Sequence, residues 1–338
     1  MSSKTVTIQI KNGETYRVPS GEDVFHTLHG VHVFIPSLCG GKGVCGKCKV
    51  RVLSGASTEP NEKEKKKLSN EERAEGWRLS CQTLVEKNMV IELPEEIRDI
   101  RIFTAEVTEL EMVSDNIRRA RLKLISPSKI SFLPGAFILL DIPPCPGAPR
   151  GTARSYSIAS PPSSTNAFDI NVKLLPSGIS SGYIHNTLKC GDQVSFTGPY
   201  SGYPYCKETN PLICVAGGSG MSPILSLLRH LTDTGSEREI QYFFGSKTRG
   251  ELPYSDELRK LEEKLPNFTF TPVVETIEPE DVGHLEHGLV TDAISRHVID
   301  ASTSSAYLCG APGMIDACYT VLDERGLNND RVFFDKFA

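Results

Sequence analysis

The segment Cys39-Gly-Gly-Lys-Gly-Val-Cys45-Gly-Lys-Cys48 is followed, after a gap of thirty-two residues, by a fourth cysteine, Cys81. Zinc ribbons usually carry two matched Cys-x2-Cys knuckles, but here one tight knuckle combines with a looser cysteine and a distant one. Three cysteines on one loop and a fourth far along the chain are a ligand pattern of [2Fe–2S] clusters. The spacing therefore predicts that these four cysteines are metal ligands.

The same loop contains four glycines, Gly40, Gly41, Gly43 and Gly46. Glycine adopts backbone conformations that other residues avoid, so such a loop can fold tightly around a small anionic object. Its N–H groups can then point toward the cluster sulfurs, as backbone amides do in anion-binding nests. Four buried structural cysteines would not account for the glycines, whereas a cluster does.

The spacing within the loop bears on the electron acceptor. Plant-type ferredoxins place four residues between their first two cysteines, whereas five separate Cys39 from Cys45. This spacing resembles the adrenodoxin-type loop and the ferredoxin-like domains of the sodium-translocating NADH:quinone reductase and of corrinoid-activating proteins. The predicted cluster type is unaffected, but the acceptor stays open.

The composition describes a chain with room for several domains. Its 338 residues suffice for two or three domains, each with its own core. The net charge of −5 and the pI near 6.0 argue against nucleic acid as a partner. No segment approaches eighteen consecutive apolar residues, and the N-terminus lacks the pattern of a signal peptide. We therefore expect a cytoplasmic protein with no transmembrane segment, whose other six cysteines are reduced and mostly buried thiols.

The first region predicts a β-grasp ferredoxin domain over residues 1–97. Residues 4–18 alternate polar and apolar side chains around Asn12-Gly13, which is a strong hairpin signal. A short helix is expected at 23–30, before the cysteine loop, and a closing strand at 89–93. Two hairpin strands, a helix and returning strands are the elements of a β-grasp domain.

Two further domains are expected. From 98 to 207, short strand-like segments alternate with turns rich in proline and glycine, which predicts a small antiparallel β-barrel. From 208 to 338, strands alternate with helices, which predicts a doubly wound parallel sheet. The expected fold class is therefore multidomain, with α+β and α/β parts.

The second region contains Arg154-Ser-Tyr156-Ser157, whose chemistry suits a flavin. An arginine can hold a pyrophosphate with charge-assisted and often bidentate hydrogen bonds. A tyrosine can lie against the isoalloxazine ring, and a serine hydroxyl can reach a ring nitrogen. Taken alone, however, this segment is only a short polar and aromatic strand.

Later motifs give the segment a family resemblance. Pro176-Ser-Gly178-Ile179-Ser180-Ser181 is followed by Gly191-Asp192 and by Gly198-Pro199-Tyr200. Together with Arg-x-Tyr-Ser, this order resembles the ferredoxin–NADP reductase superfamily. The resemblance implies FAD on the barrel, with its pyrophosphate on Arg154 and on the loop of Gly178, Ile179, Ser180 and Ser181. It also implies Tyr156 against the ring, Ser157 near the reactive nitrogen, and Asn171, Val172 and Lys173 on the adenine side.

The third region resembles the nicotinamide dinucleotide site of the same superfamily. Val215-Ala-Gly217-Gly218-Ser-Gly220-Met221-Ser-Pro223 lies between a predicted strand and a predicted helix, where a glycine turn lets phosphates approach the helix N-terminus. Cys309-Gly310-Ala-Pro312-Gly-Met314 resembles the later strand end at which the family places a cysteine beside the nicotinamide. The implied NAD-binding residues are Gly217, Gly218, Gly220, Met221, Pro223, Cys309, Gly310 and Met314.

The order of the motifs resembles that of iron–sulfur flavoprotein reductases, among them bacterial oxygenase reductase components and the soluble part of the corresponding subunit of the sodium-translocating NADH:quinone reductase. It implies an NADH-dependent oxidoreductase that passes a hydride to FAD and then single electrons through the [2Fe–2S] cluster to a partner protein, such as an oxygenase component. Ser157, Cys309 and Phe337 would serve the hydride step, with Phe337 in the terminal segment covering the flavin.

Two alternatives stay open. One is the electron-input subunit of a quinone-reducing or other membrane-associated complex, and the other is a reductive activator of a corrinoid protein. The pump subunit begins with a membrane helix, whereas this chain begins with a ferredoxin strand, so we expect it not to belong to that pump. Corrinoid activators resemble this chain in the ferredoxin domain alone.

NADH is expected in preference to NADPH. The segment from Gly245 to Tyr254 resembles that of NADH-using relatives, which also ends in an acid and an aromatic residue. Lys247 and Arg249 argue the other way, because basic side chains can hold a 2′-phosphate.

Other polar runs have a structural interpretation. The basic run from Lys63 to Lys67 is interleaved with glutamates, so it is interpreted as a solvated face rather than a docking patch. No histidine spacing resembles a metal site, and His284, His287 and His297 are expected at the surface. The aromatic residues Tyr200, Tyr203 and Tyr205 either cover adenine or pack a turn.

Overall fold

The computed structural model describes residues 5–336, apart from 32, 38, 57, 95–99, 150, 202–208 and 282–284. The chain divides into two compact units, one formed by 1–102 with 153–155 and the other by 103–152 with 156–338. The predicted domain boundaries fall outside the described residues and stay predictions. No helix in the described part of the chain combines the length and the apolar character that crossing a bilayer requires.

A five-stranded mixed sheet forms the first unit. Its elements are β1 (Thr5–Ile10), β2 (Thr15–Pro19), α1 (Val24–Gly30), β3 (Lys49–Ser54), α2 (Glu62–Lys65), α3 (Asn70–Ala74), β4 (Trp77–Leu79) and β5 (Met89–Glu92). The strand order is β2-β1-β5-β3-β4, in which only β1 and β5 run parallel. The predicted hairpin, helix and closing strand are confirmed.

Helix α1 packs on this sheet and completes the β-grasp arrangement. It begins where the Asp23 carboxylate accepts a hydrogen bond from the His26 backbone N–H, a typical N-cap. Its buried face contributes Leu28 to a core shared with Ile8 and Val50 from the sheet. The cysteine loop follows this helix and leads directly into β3.

An antiparallel six-stranded sheet opens the second unit. Its elements are β6 (Arg101–Ser114), β7 (Ile117–Ser126), β8 (Phe137–Ile142), β9 (Thr152–Ser157), β10 (Ala167–Lys173), α4 (Ile179–Asn186) and β11 (Gln193–Tyr200). The strand order is β10-β7-β6-β11-β8-β9, and an antiparallel bridge between Ile158 and Ile170 joins its two ends. The sheet therefore curls into the predicted barrel, with Val107, Leu122 and Phe196 in its core.

A six-stranded parallel sheet completes the second unit. Its elements are β12 (Leu212–Gly217), α5 (Met221–Asp233), β13 (Ile240–Ser246), α6 (Ser255–Lys264), β14 (Phe268–Val274), β15 (Glu286–His287), α7 (Val290–His297), β16 (Ser305–Gly310), α8 (Pro312–Glu324) and β17 (Val332–Lys336). The order is β15-β14-β13-β12-β16-β17. Chain order reverses between β12 and β16, which is where open α/β sheets bind ligands.

Side chains of the central strand β12 alternate between two cores. Cys214 and Ala216 pack with α5 and α6 on one face, whereas Ile213 and Val215 pack with α7 and α8 on the other. Burial on both faces is why this strand is a continuous apolar run, and it confirms the doubly wound sheet. The sequence analysis did not predict β14, α7 or β17, although β13, β16, α6 and α8 lie where it expected them.

Candidate functional site

The cysteine loop has the backbone that its glycines predicted. All four loop glycines have positive φ, and Gly43 and Gly46 adopt values of 75° and 73°. Such left-handed conformations bring successive N–H groups to the inner side of a loop. One result is that the backbone at Gly43 hydrogen-bonds to the sulfur of Cys81, although the two residues belong to different segments.

The four cysteines form two pairs. Cys48 and Cys81 approach within 3.3 Å between their sulfur atoms, and the thiols of Cys39 and Cys45 are hydrogen-bonded to each other. Two thiolates on one tetrahedral metal with bonds of about 2.3 Å lie about 3.8 Å apart. The Cys48–Cys81 distance is therefore within a small adjustment of metal binding.

Hydrogen bonds favour the thiolate in one member of each pair. The pKa of Cys39 is lowered because Cys45 donates to it and because three backbone N–H groups of the loop point at it. The pKa of Cys81 is lowered first by the hydrogen bond from Cys48 and further by the Gln82 amide, which lies 3.5 Å from its sulfur. Thiolates are the form in which cysteine binds metal.

Two pairs suit a two-iron centre better than a single ion. No three His, Cys, Asp or Glu side chains of the described residues converge at single-ion distance. A [2Fe–2S] cluster takes two protein ligands on each iron, so it needs two neighbouring pairs. The donor set, its pairing and the surrounding N–H groups therefore fit this cluster.

The flavin motif lies on β9. Ser157, at the end of this strand, is 9% exposed, and Tyr156 packs against the edge of the barrel core. Arg154 is partly buried, and its guanidinium donates to the carbonyl of Ala153 at 2.7 Å. The strand thus presents all three predicted side chains, of which Ser157 is the most enclosed.

The loop after β10 has a polar group in need of a partner. Gly178 precedes α4, and the Ser181 hydroxyl binds back to the Gly178 carbonyl at 3.3 Å. Ser180 Oγ is buried and has no hydrogen-bond partner among the described residues. A buried hydroxyl at the first turn of a helix, beside free backbone N–H groups, fits the phosphates of FAD.

Two of the residues predicted on the adenine side of FAD face elsewhere. The Asn171 side chain is buried and donates to Ser222 Oγ at 3.2 Å, next to the glycine loop. Val172 is 2% exposed and belongs to the barrel core. A place for these residues at the adenine stays a prediction, and the structure adds a link to α5.

Lys173, the third of these residues, lies beside the glycine loop. A Cβ placed on Gly218 would be 3.3 Å from Lys173 Cδ and 3.5 Å from Lys173 Nζ. The ammonium group is therefore available to phosphates at the start of α5. The sequence offered no sign of this position, because β10 and the loop are far apart along the chain.

The glycine loop meets the end of β16 at the switch point of the sheet. A Cβ on Gly220 would lie 2.3 Å from the carbonyl oxygen of Cys309, so only glycine permits this approach. Gly217 and Gly310 face the Met314 side chain in the same way, at 2.8 Å from its Sδ and 2.9 Å from its Cε. Close packing here leaves the N-terminus of α5 open to a dinucleotide.

The remaining predicted residues of this site have structural positions. Met221 and Pro223 are buried in the first turn of α5, where they anchor the loop. Cys309 is fully buried and pairs in register with Asp335 on β17, which is 5% exposed. Phe337 lies outside the described residues.

A polar network that the sequence analysis missed joins the barrel to helices α5 and α6. Arg229 makes a bidentate ion pair with Glu257 at 2.7 and 2.8 Å and donates to the carbonyl of Ala159 at 3.0 Å. Ser226 Oγ donates to the carbonyl of Ser160 at 2.7 Å. The end of the flavin motif is therefore hydrogen-bonded to the helix that begins at the glycine loop.

Several polar residues with open assignments now have partners. Arg249 forms an ion pair with Asp281 at 2.7 Å, whereas Lys247 is exposed. His297 binds Glu286 at 2.8 Å, and His287 is exposed. Tyr200 is buried, stacks on Phe137 and shares a 2.7 Å hydrogen bond with Thr197, so it packs the turn. His284, Tyr203, Tyr205 and Cys206 lie outside the described residues.

Three family models match successive parts of the chain. A 2Fe-2S iron-sulfur cluster binding domain matches residues 6–86, an oxidoreductase FAD-binding domain matches 104–205, and an oxidoreductase NAD-binding domain matches 214–320. The predicted cofactors, namely a [2Fe–2S] cluster, FAD and a nicotinamide dinucleotide, thus each have a matching domain.

Relatives and solved structures cover almost the whole chain. The reductase component of propane 2-monooxygenase from Rhodococcus jostii is 32% identical over 93% of this chain and 84% of its own. A subunit of the Na(+)-translocating NADH-quinone reductase of Klebsiella pneumoniae is 29% identical over 98% of this chain and 92% of its own. The cytochrome P450 reductase GcoB from Amycolatopsis has a TM-score of 0.76 and 25% identity, with 98% of this chain and 99% of that chain covered.

The ferredoxin reductase in carbazole 1,9a-dioxygenase has the same fold, with a TM-score of 0.72, 20% identity and full coverage of both chains. The cysteine pairs, the flavin strand and the dinucleotide loop occur here in the order of the three matched domains. The chain therefore belongs to the iron–sulfur flavoprotein reductases of the ferredoxin–NADP reductase superfamily.

Proposed function

We propose that this oxidoreductase takes electrons from NADH and delivers them singly, through a cluster on Cys39, Cys45, Cys48 and Cys81, to a protein acceptor such as an oxygenase component. The observation that carries this proposal is the hydrogen bonding of Ala159 and Ser160, just after the flavin motif, to α5, which begins at the glycine loop. This arrangement supports one reaction site shared by flavin and nicotinamide.

The dinucleotide would bind at the carboxyl end of β12. The N-terminus of α5 and the Lys173 ammonium supply positive charge for its pyrophosphate. Gly217, Gly218 and Gly220 give the backbone room there, while Gly310 and Met314 close the far side. Cys309, at the end of β16, would position the nicotinamide.

FAD would bind along β9 and at the start of α4. Ser180 and Ser181 with the neighbouring N–H groups would hold its pyrophosphate together with Arg154. Tyr156 would support the ring, and Ser157 would donate a hydrogen bond near its reactive nitrogen. Bound FAD accepts two electrons together and releases them one at a time, which suits a one-electron cluster.

NADH is the proposed donor rather than NADPH. Arg249 could hold a 2′-phosphate, but its guanidinium is already neutralised by Asp281 at 2.7 Å. Lys247 is exposed and is the remaining basic side chain of this segment. A kcat/KM for NADPH above that for NADH would contradict this preference.

The acceptor follows from the relatives. The family includes the reductase component of propane 2-monooxygenase, which supports an oxygenase partner. The relative from the Na(+)-translocating NADH-quinone reductase is nearly as similar, at 29% identity over 98% of this chain, and it supports the electron-input subunit of a larger complex as a second candidate. The two candidates differ in the acceptor, while the route through the chain is the same.

Metal analysis and electron paramagnetic resonance of the reduced holoprotein test the cluster, and a four-iron signal or bound zinc would contradict it. Cys309→Ala should slow flavin reduction by NADH in stopped flow. An unchanged rate would leave Cys309 a packing residue. Cys48→Ser should keep rapid flavin reduction but lose electron delivery to cytochrome c.

A further inference from the structure

Two lysines lie directly against the cysteine loop. A Cβ on Gly43 would be 2.9 Å from Lys63 Cδ, and a Cβ on Gly46 would be 3.3 Å from Lys67 Cβ. The Lys63 ammonium also donates to the carbonyl of Lys42 at 3.2 Å, within the loop itself. We call the exposed side chains of Lys42, Lys63 and Lys67 the basic face.

The glutamate within the lysine run does not neutralise this face, because it points inward. Glu64 is completely buried and forms a bidentate ion pair with Arg78 at 2.8 and 2.9 Å. Its carboxylate also accepts from the backbone N–H groups of Asn61 and Leu79. The sequence shows alternating charge, but the surface is basic, so the interpretation of this run as an ordinary solvated face needs revision.

The other surface charges of this run are accounted for by pairing. Glu62 pairs with Lys65 at 2.8 Å and leaves the basic face without a carboxylate partner. Within the part of the chain that the structure describes, Lys42, Lys63 and Lys67 form no ion pair. This concentration of positive charge occurs in a protein whose net charge is −5.

An apolar side chain lies among these lysines in the loop. Val44 is 42% exposed and immediately precedes the predicted ligand Cys45. An apolar centre with a charged rim is a common composition for transient protein interfaces. Val44 therefore offers a short route from the cluster ligand to a bound partner.

We propose that the basic face, with Val44 at its centre, is the docking surface for the electron acceptor, and that this acceptor presents an acidic surface around its redox centre. The inference rests on the proposed function and adds the chemical class of the partner. One electron leaves the reduced cluster and one oxidised acceptor centre is reduced, with no proton or bond transferred. Complementary charge would raise the association rate and make it fall with ionic strength.

Two one-electron carriers of opposite charge test the proposal with holoprotein: the acidic cytochrome b5 and the basic cytochrome c. Each rate is normalised to flavin reduction by NADH in the same variant. At low salt, Lys63→Glu/Lys67→Glu should lower kcat/KM for cytochrome b5 about tenfold and flatten its salt dependence. The same variant should reduce cytochrome c faster than the wild type does.

A matched control reverses two exposed charges elsewhere on the same unit. Arg17 lies on β2, at the sheet edge opposite β4, and Lys87 lies in the turn before β5. Arg17→Glu/Lys87→Glu should leave both cytochrome rates unchanged. Should the two double variants behave alike, the docking surface is not the basic face.

Two further variants separate the possible failures. Lys63→Gln/Lys67→Gln removes charge without adding any and should give an intermediate loss, provided that its cluster signal in electron paramagnetic resonance is intact. Wild-type rates in this variant and in the charge reversal would overturn the docking proposal alone. A flavin-loaded Cys48→Ser protein that reduces both cytochromes at the wild-type rate would overturn the proposed route through the cluster, and the docking proposal with it.

Discussion

The Tyr254 hydroxyl donates a 2.8 Å hydrogen bond to Asn171 Oδ1. Burial raises the pKa of Tyr254, so its hydroxyl stays a donor. The same asparagine donates to Ser222, and the Arg229 guanidinium lies 5.6 Å from the centre of the tyrosine ring. Tyr254 has a φ of 56°, which is unusual outside glycine and costs about 1 kcal/mol. These contacts offset that cost and join the barrel to the dinucleotide half of its unit.

Tyr254→Phe should remove the donor while keeping the ring. Asn171 Oδ1 would then be buried without a partner, at a cost of about 1 to 3 kcal/mol in stability. Because Asn171 also holds Ser222 at the start of α5, we expect slower flavin reduction by NADH at saturating dinucleotide. A double-mutant cycle with Asn171→Ala, measured by stopped flow, should show strong coupling between the two side chains. Additive effects would mean that the hydrogen bond does not position the loop.

Lys173→Met tests which ligand this lysine serves. Its ammonium lies beside Gly218, so the variant should raise KM for NADH about tenfold, as expected for one lost charge-assisted contact of roughly 1.4 kcal/mol. The flavin content of the purified protein should match that of the wild type. Loss of FAD with an unchanged KM would instead restore the adenine-side assignment.

Gly220→Ala should disrupt dinucleotide binding, because the added methyl group would lie 2.3 Å from the Cys309 carbonyl oxygen. Either β16 or the glycine loop must then move. We expect the dissociation constant for NADH, measured by titration of the charge-transfer absorbance, to rise at least about tenfold, a loss of roughly 1.4 kcal/mol. Gly313→Ala is the control, since no atom lies within 4 Å of its added Cβ. Similar affinities in both variants would show that the close approach is not needed.

Glu64→Ala should destabilise the ferredoxin unit strongly. It leaves Arg78, which is 4% exposed, buried without its carboxylate, and breaking such a pair costs about 3 to 5 kcal/mol. The visible circular dichroism of the cluster, followed on heating the holoprotein, should be lost at a lower temperature. Glu62→Gln removes an exposed partner of Lys65 and should change that temperature little. Equal effects of the two substitutions would contradict a structural role for the buried pair.

The sequence predicted features that depend on local spacing. The cysteine ligands, the Asn12-Gly13 hairpin and the glycine loop of β12 are each contained within about ten residues, apart from Cys81. Cofactor motifs of this kind are visible because the chemistry fixes which residue types stand at which offsets. The three-domain order followed from the same signals, whereas Phe337 lies outside the described residues and its predicted role over the flavin stays open.

Features created by distant contacts were not predictable in the same way. Glu64 looks like a solvated glutamate in the sequence because its partner Arg78 lies in another element, and only the fold turns it inward. Asn171 and Tyr254 are eighty-three positions apart, and their hydrogen bond depends on how the barrel meets α6. Strand β17 resembles a simple tail in the sequence because its alternating pattern is short. Its pairing with β16 gives Asp335 a place beside Cys309.

The pairing of Cys48 with Cys81 has a consequence for biosynthesis. An iron bound to both sulfurs cross-links positions separated by thirty-two residues. In the chain-entropy account of cross-links, closing a loop of this length removes about 4 kcal/mol of freedom from the unfolded chain. Cluster insertion would then act as a maturation step for the whole N-terminal unit. In iron-starved cells, the apoprotein should accumulate as a substrate for proteases, so that iron supply sets how much of this reductase persists.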